Sequence, residues 1–241
     1  MSKDDIYASR EAKSGSFVFD DAVANVFPDM LRRSIPGYEA TLEAIGALAA
    51  RYAQADSACY DLGCSLGDAA FAVRHRVKAP NFRIVAVDLA PAMVSRCRER
   101  LAADEATVPM TVQESDVRDV EIDDASLVLL NYTLQFVPVG DRAALVKRIH
   151  DGMRRGGILV LSEKVADPDP AIEKLQVDLH LDFKRSNAYS ELEISRKRSA
   201  LENVLVPESV ATHLQRLHDA GFRHAGVWLQ HFNFVSIVAI R

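Results

Sequence analysis

Asp61-Leu62-Gly63-Cys64-Ser65-Leu66-Gly67, residues 61–67, sits between two stretches of opposite periodicity. Upstream, Cys59-Tyr60-Asp61-Leu62 reads as a short buried strand. Downstream, Leu66 to Lys78 carries the Ala/Val-rich stripe of a helix packed on a sheet. The unit repeats. Phe82 to Val87 is a β-branched strand closing on Asp88, and Pro91 stands where a first helical turn tolerates it, ahead of Met93, Val94, Cys97 and Leu101. Further strands are expected at Met110 to Val112, Leu127 to Leu130 and Ile158 to Leu161, with a helix from Asp141 to Met153 closed by Gly156-Gly157. Such alternation predicts an α/β fold with a mostly parallel, doubly wound sheet.

Both flanks of this core are helical. From Asp20 to Tyr52 apolar residues recur at helical spacing, interrupted at Pro36-Gly37, which predicts an N-terminal helical cap over residues 1–56. Asp169 to Asn187 reads as a helix, and Ser190-Glu191-Leu192-Glu193 has the S-x-x-E form of a capping box opening a second helix through Leu201. Residues 169–206 are therefore expected to be a helical insertion. Pro207 is expected to start a last helix to Ala220, and Val227 to Phe232 and Phe234 to Ile240, meeting around Asn233, to form a terminal antiparallel pair. No repeat or linker divides the 241 residues, so a single domain is expected.

Composition narrows the chemistry. Hydrophobic residues make up 49% and charged residues 26%, which excludes disordered and fibrous classes. No apolar run approaches the ~20 residues of a membrane span, and MSKDDIYASREAKSG lacks a secretory core, so a cytoplasmic, membrane-free location is expected. Cys59, Cys64 and Cys97 form neither a disulfide framework nor a C-x-x-C pair, and the seven histidines have no ligand spacing, so no metal is expected. The net charge of −5 argues against direct nucleic-acid binding and for a small-molecule site.

The 61–67 loop admits three readings. Its glycines let backbone N–H groups and a helix N-terminus approach a nucleoside, with Asp88 at the end of the next strand where a ribose-binding carboxylate belongs. The same letters satisfy G-x-S-x-G with Ser65 as a hydrolase nucleophile, but only one strand precedes it and no Asp-then-His pair follows. A glycine turn that merely packs strand on helix is the third. Within the nucleotide reading, the G-x-G-x-x-G of dinucleotide sites is missing, since Ser65 stands at its second glycine. An acidic residue before the loop, Asp88, Asp116 after the third strand, and the terminal strand pair together match S-adenosylmethionine-dependent methyltransferases.

VFPDM (26–30), RSIPGY (33–38), YDLGCSLG (60–67), LNYTLQF (130–136), DFKRSNAYSELEIS (182–195) and KRSALENV (197–204) carry a resemblance beyond that superfamily. Over nearly its whole length the chain resembles the bacterial carboxy-S-adenosyl-L-methionine synthases of wobble-uridine tRNA modification. The resemblance implies a Rossmann-like class I methyltransferase fold, with seven strands. It implies S-adenosylmethionine as substrate, prephenate as co-substrate, and carboxy-S-adenosylmethionine and phenylpyruvate as products. It also implies a homodimer and a downstream tRNA carboxymethyltransferase that uses the product. By matching motif it places ligand contacts at Tyr38, Gly63, Cys64, Ser65, Asp88, Leu89, Asp116, Val117, Asn131 and Arg198.

Each of these has a plainer reading. Asp88 would serve equally as a helix N-cap, Asp116-Val117 as a surface turn, and Tyr38 as a core aromatic behind Pro36-Gly37. Leu89 departs from the polar residue expected of the family, so its contact is expected through backbone. Asn131 follows an apolar run, so its amide should stand at the sheet edge, where unsatisfied polar groups are costly. Arg196-Lys197-Arg198 reads by default as a solvated basic face. A carboxylate attached beside a sulfonium would, however, be held by a guanidinium, which makes Arg198 the catalytic candidate. Two rivals remain: an ordinary S-adenosylmethionine-dependent methyltransferase on a small molecule or tRNA, and a non-catalytic nucleoside binder. Apolar and aromatic residues between Ile172 and Tyr189 are expected to face a partner subunit.

Overall fold

The computed structural model describes residues 4–6, 17–201 and 204–241; the start of the expected cap, 1–3 and 7–16, and residues 202–203 lie outside the described residues. Asp20 caps α1 (Asp21–Ser34) by accepting the Val23 N–H at 3.0 Å. Gly37, at φ +75°, turns the chain into α2 (Tyr38–Tyr52), because a Cβ there would lie 2.3 Å from the His231 ring. The break expected at Pro36-Gly37 is thus a tight corner. β1 (Ala58–Leu62), α3 (Asp68–Arg74), β2 (Arg83–Asp88), α4 (Pro91–Ala103), β3 (Met110–Glu114) and β4 (Ala125–Asn131) follow. Then come a single 3₁₀ turn at Leu134–Phe136, α5 (Val139–Gly152), β5 (Met153–Lys164), α6 (Pro170–Ser186), α7 (Glu191–Leu201), α8 (Val210–Ala220), β6 (His224–His231) and β7 (Phe234–Ile240).

The seven strands form one sheet in the order β3-β2-β1-β4-β5-β7-β6. β1 to β5 run parallel, while β7 is antiparallel to β5 and to β6. The strand order reverses between β1 and β4, and in open parallel sheets such a switch point opens a crevice at the carboxyl ends. Central strands show no polar alternation because helices cover both faces. Along β4, Leu127 and Leu129 pack with Ile45, Ala70 and Cys97 on one side, and Val128 and Leu130 with Leu145, Ile149 and Leu217 on the other. The cap buries Phe17, Val26, Phe27 and Met30 against Leu66, Met93 and Ala200, so its own core closes over the glycine loop.

Several boundaries differ from expectation: α3 spans only Asp68–Arg74 of the helix expected over Leu66 to Lys78, β6 starts at His224 rather than Val227, and three further shifts have a visible cause. β5 starts at Met153, five residues before Ile158, so Gly156-Gly157 lie inside it; Gly156, at φ +74°, is absorbed within the strand. α5 instead closes at Gly152, where a Cβ would sit 2.1 Å from the Ile122 carbonyl oxygen. α8 starts at Val210 with Ser209 as its cap, because residues before it are held as edge structure: Val206 N–H donates to the Gln135 carbonyl and Glu208 bridges Val165. No helix among the described residues is long and apolar enough to cross a membrane.

Candidate active site

The crevice is a cavity of about 920 Å³, near the top of the ~300–1,000 Å³ range of small-molecule sites. Its base is the loop after β1. Gly63 and Cys64 N–H groups both donate to the Val87 carbonyl at 2.8 Å, tying the loop to the neighbouring strand. Gly63 (φ +81°) admits no side chain, since a Cβ would lie 2.3 Å from Thr133 Oγ1. Ser65 is left-handed without being glycine (φ +52°), a conformation held by its N–H donating to Asp88 Oδ2 at 2.8 Å. Gly67 (φ +86°) opens α3, and a Cβ there would meet Cys97 Sγ at 2.7 Å.

Asp88 is therefore neither a simple helix cap nor a free ligand. Its Oδ1 accepts the Ala90 N–H at 2.9 Å, so both oxygens organise the loop, with lone pairs remaining for a hydroxyl. Burial raises its pKa despite those bonds. Asp61 is fully enclosed and accepts the Ala70 N–H at 3.0 Å; burial pushes its pKa up to about 7. The Tyr38 hydroxyl donates to Asp68 Oδ2 at 3.2 Å, and its ring lies 6.4 Å from that of Tyr132, so the tyrosine belongs to both core and cavity wall. Asp116 is chelated by its own turn, through the N–H and guanidinium of Arg118, which holds its carboxyl below the usual range.

All ten residues named from the sequence, Tyr38, Gly63, Cys64, Ser65, Asp88, Leu89, Asp116, Val117, Asn131 and Arg198, line this one cavity. The Leu89 side chain is 64% exposed, while Val117 is buried. Asn131 ends β4, and its Oδ1 is buried without a hydrogen-bond partner among the described residues, an arrangement costly unless a ligand donor meets it. Arg198 is exposed on α7, and no hydrogen bond or ion pair engages its guanidinium among the described residues.

Several lining residues were not among the site residues expected from the sequence. Thr133, Gln135 and Phe136 reach the cavity because Glu163, buried near the end of β5, accepts the Leu134 and Gln135 N–H groups at 2.9 Å each and folds that segment into its 3₁₀ turn. Burial drives the Glu163 pKa up to about 8 against those two bonds. Lys164, His180, Lys184 and Lys197 also face the cavity. For His180 and Lys184 the available signal was a polar stripe on α6 with Glu173, which points inward, opposite an apolar stripe that points outward.

A switch-point crevice, a glycine loop and an unmet amide acceptor define a Rossmann-like, class I methyltransferase-type protein. A family model described as "Methyltransferase domain" matches residues 60–157. Solved structures agree at the level of the fold. An O-methyltransferase family protein from Burkholderia thailandensis superposes with a TM-score of 0.68 at 17% identity, over 92% of this chain and 60% of that one. Human N-acetylserotonin methyltransferase in complex with SAM gives 0.60 at 17% identity, over 92% and 55%.

Curated relatives are far more similar. Proteins named carboxy-S-adenosyl-L-methionine synthase from Citrifermentans bemidjiense, Aeromonas hydrophila and Klebsiella pneumoniae are 54%, 53% and 50% identical over 99% of this chain, and over 98%, 96% and 97% of their own lengths. The chain belongs to the carboxy-S-adenosyl-L-methionine synthase family.

Proposed function

We propose that this enzyme converts S-adenosylmethionine and prephenate into carboxy-S-adenosylmethionine and phenylpyruvate. The observation that carries this reading is Arg198, a guanidinium with no carboxylate partner among the described residues, on the wall of the glycine-loop cavity. A sulfonium is a cation, so plain methyl donation gains nothing from a guanidinium near the methyl carbon. A carboxylate formed on that carbon gains a charge-assisted pair. Ordinary methyl transfer is accordingly the less favoured reading.

The residues divide the work. The Gly63-Cys64-Ser65 loop, Asp88 with Leu89, Asp116 with Val117, Asn131 and Tyr38 hold the nucleoside and amino-acid ends of S-adenosylmethionine, and Arg198 holds the new carboxylate. In the cavity, the ring carboxylate of prephenate leaves as carbon dioxide, its electrons aromatise the ring, and the ring hydroxyl departs. That oxygen takes a methyl proton from the sulfonium and leaves as water. The resulting ylide carbon then bonds to the trapped carbon dioxide. The protein supplies proximity and exclusion of water more than acid or base.

The product is a carboxymethyl donor, which fits consumption by a tRNA-modifying enzyme rather than RNA binding by this chain. We place the chain in the cytoplasm as one domain over 1–241, its three cysteines unpaired and buried, and as a homodimer. The outward stripe Ile172, Leu175 and Leu179 on α6, 42%, 53% and 38% exposed, is the surface a second copy would cover. Tyr189, expected to join it, is buried in its own chain under the Arg33 guanidinium.

The test is incubation of purified protein with both substrates and mass spectrometry of S-adenosylmethionine. A gain equal to carbon dioxide that requires prephenate is expected. Methylated product without prephenate, or no gain, overturns the reading. Arg198→Ala should abolish carboxylation while S-adenosylmethionine still binds; full activity in that variant removes Arg198 from the chemistry.

A further inference from the structure

The far wall of the cavity, away from the glycine loop, is built from β5, β7, α6 and α7, and it is cationic. Lys164 ends β5, Lys184 sits in the last turn of α6, and Lys197 and Arg198 lie on α7; all four line the cavity. Lys197 is the partnered one: its ammonium donates to Ser34 Oγ at 2.9 Å and lies 3.4 Å from Asp4 Oδ2. Lys184 is only 9% exposed, yet its ammonium has no hydrogen bond or ion pair among the described residues. Glu173 is the nearest carboxylate in charge terms to Lys164, but it is occupied in accepting the Asp167 N–H at 2.8 Å. A buried, unpaired ammonium is costly to keep unless an anion visits it.

The surroundings say what kind of anion. Lys164 stands opposite Phe234 in the β5–β7 register, and the Phe234 ring meets His180 edge-on at 4.8 Å and Tyr132 at 6.0 Å. His180 donates from Nε2 to the Ser34 carbonyl at 2.9 Å, and burial with the neighbouring lysines drives its pKa down to about 3, so it is a neutral, flat wall. Cations beside edge-packed rings fit an organic acid with a ring body, not inorganic phosphate or a nucleotide.

We infer that Lys184 and Lys164 form a carboxylate subsite, walled by Phe234 and His180, that takes the 2-oxo acid side chain of the co-substrate. This rests on the proposed reaction and deepens it. Prephenate brings two carboxylates, of which one is transferred and the other stays in phenylpyruvate. Arg198 receives the first. The second, on the side chain of the same ring carbon, needs a separate cation that holds it before and after the transfer, and these two lysines supply it on the same wall as Arg198. Lys184 is also poised to report binding. Burial, then Lys197, Lys164 and Arg198, depress its pKa to about 7, so it is partly neutral near neutrality and an incoming carboxylate draws a proton onto it.

Phenylpyruvate, which keeps only the 2-oxo acid carboxylate, is the probe. Calorimetric titration into wild type and Lys184→Met should show binding weakened by ~10- to 100-fold in the variant, the size of one charge-assisted hydrogen bond. The prephenate KM should rise alike, while S-adenosylmethionine affinity is unchanged. The wild-type heat near pH 7 should depend on the buffer's ionisation enthalpy, through proton uptake, and that dependence should vanish in Lys184→Met. Lys184→Arg should restore affinity, and Lys164→Gln gives a second variant should the first fail to fold. Unaltered phenylpyruvate binding in both charge-removing variants overturns the subsite even if wild type carboxylates S-adenosylmethionine. Lysine-dependent phenylpyruvate binding in a protein that never carboxylates keeps the subsite and overturns the reaction instead.

Discussion

Gly63 and Asp61 show how single residues set the loop, one by what it lacks and the other by what it carries. Gly63 combines a left-handed φ with a clash that involves Thr133 Oγ1, Cγ2 and Cβ together, so no rotation of the threonine makes room for a methyl group. Gly63→Ala is expected to push the loop away from Thr133 and to weaken S-adenosylmethionine binding by at least ~10-fold, the scale of 1.4 kcal/mol, read by calorimetry. Asp61 titrates near 7 instead of in the carboxylate range. A carboxyl whose folded pKa is raised contributes stability that is full at low pH and is lost as pH climbs through the folded value. Asn in its place keeps an acceptor for Ala70 without titrating. Asp61→Asn should therefore gain on wild type as pH rises from about 4 to about 7, then run parallel to it; a melting-temperature difference that is flat over that window would contradict the assignment.

At the scale of elements, two devices hold the cavity in shape. Arg142, on α5 and only 1% exposed, donates Nε to the Val137 carbonyl, Nη1 to Glu208 Oε2 at 2.6 Å, and Nη2 to the Gln135 and Val206 carbonyls. It staples the segment after α7 to the 3₁₀ turn that lines the site. Arg142→Ala leaves Glu208 and three carbonyls short of a donor, and a loss of ~3–5 kcal/mol is expected in chemical denaturation. The second device is α6, whose polar stripe faces the cavity and whose apolar stripe faces out. Changing Ile172, Leu175 and Leu179 together to serine should convert a dimer to a monomer in light scattering, leaving the melting transition of each subunit largely intact. Element identity was legible in the sequence because period and breakers agree: strand, glycine, helix, proline. Boundaries were not. Five residues of β5 hid behind Arg154, Arg155 and two glycines, and the start of α8 was masked because Pro207 looks like a first-turn proline while long-range bonds pull 206–208 onto the site's edge. The pairing of Lys184 with Lys164 was illegible for the same reason: only the fold that sets His180 of α6 against Phe234 of β7, opposite Lys164 in the sheet, makes two distant lysines neighbours.

Across the whole molecule, the sign of the charge depends on where it is read. The chain totals −5, with 34 acidic against 29 basic residues, yet one wall of its cavity is lined by Lys164, Lys184, Lys197 and Arg198. Many of the surface arginines are already neutralised: Arg118 by Asp116 and Asp141, Arg185 by Asp182 and Glu191, Arg154 by Asp124. A polyanion binds by releasing counterions along a broad basic face, whereas these arginines, among the described residues, are each paired with carboxylates. A small organic anion needs only a local field inside low-dielectric walls, where salt screens poorly. The two cases separate by experiment. At ~0.15 M ionic strength, where exposed charges beyond ~8 Å are screened, tRNA should neither shift in a gel with the protein nor inhibit carboxylation. The prephenate KM should meanwhile change only weakly between ~0.05 and ~0.2 M salt, because Lys184 is buried and Lys164 half-buried, whereas a tRNA contact would lose orders of magnitude over that range. A steep salt dependence together with tRNA retardation would mean that the acidic total conceals an RNA-binding face, and that the donor is made on the RNA's own doorstep.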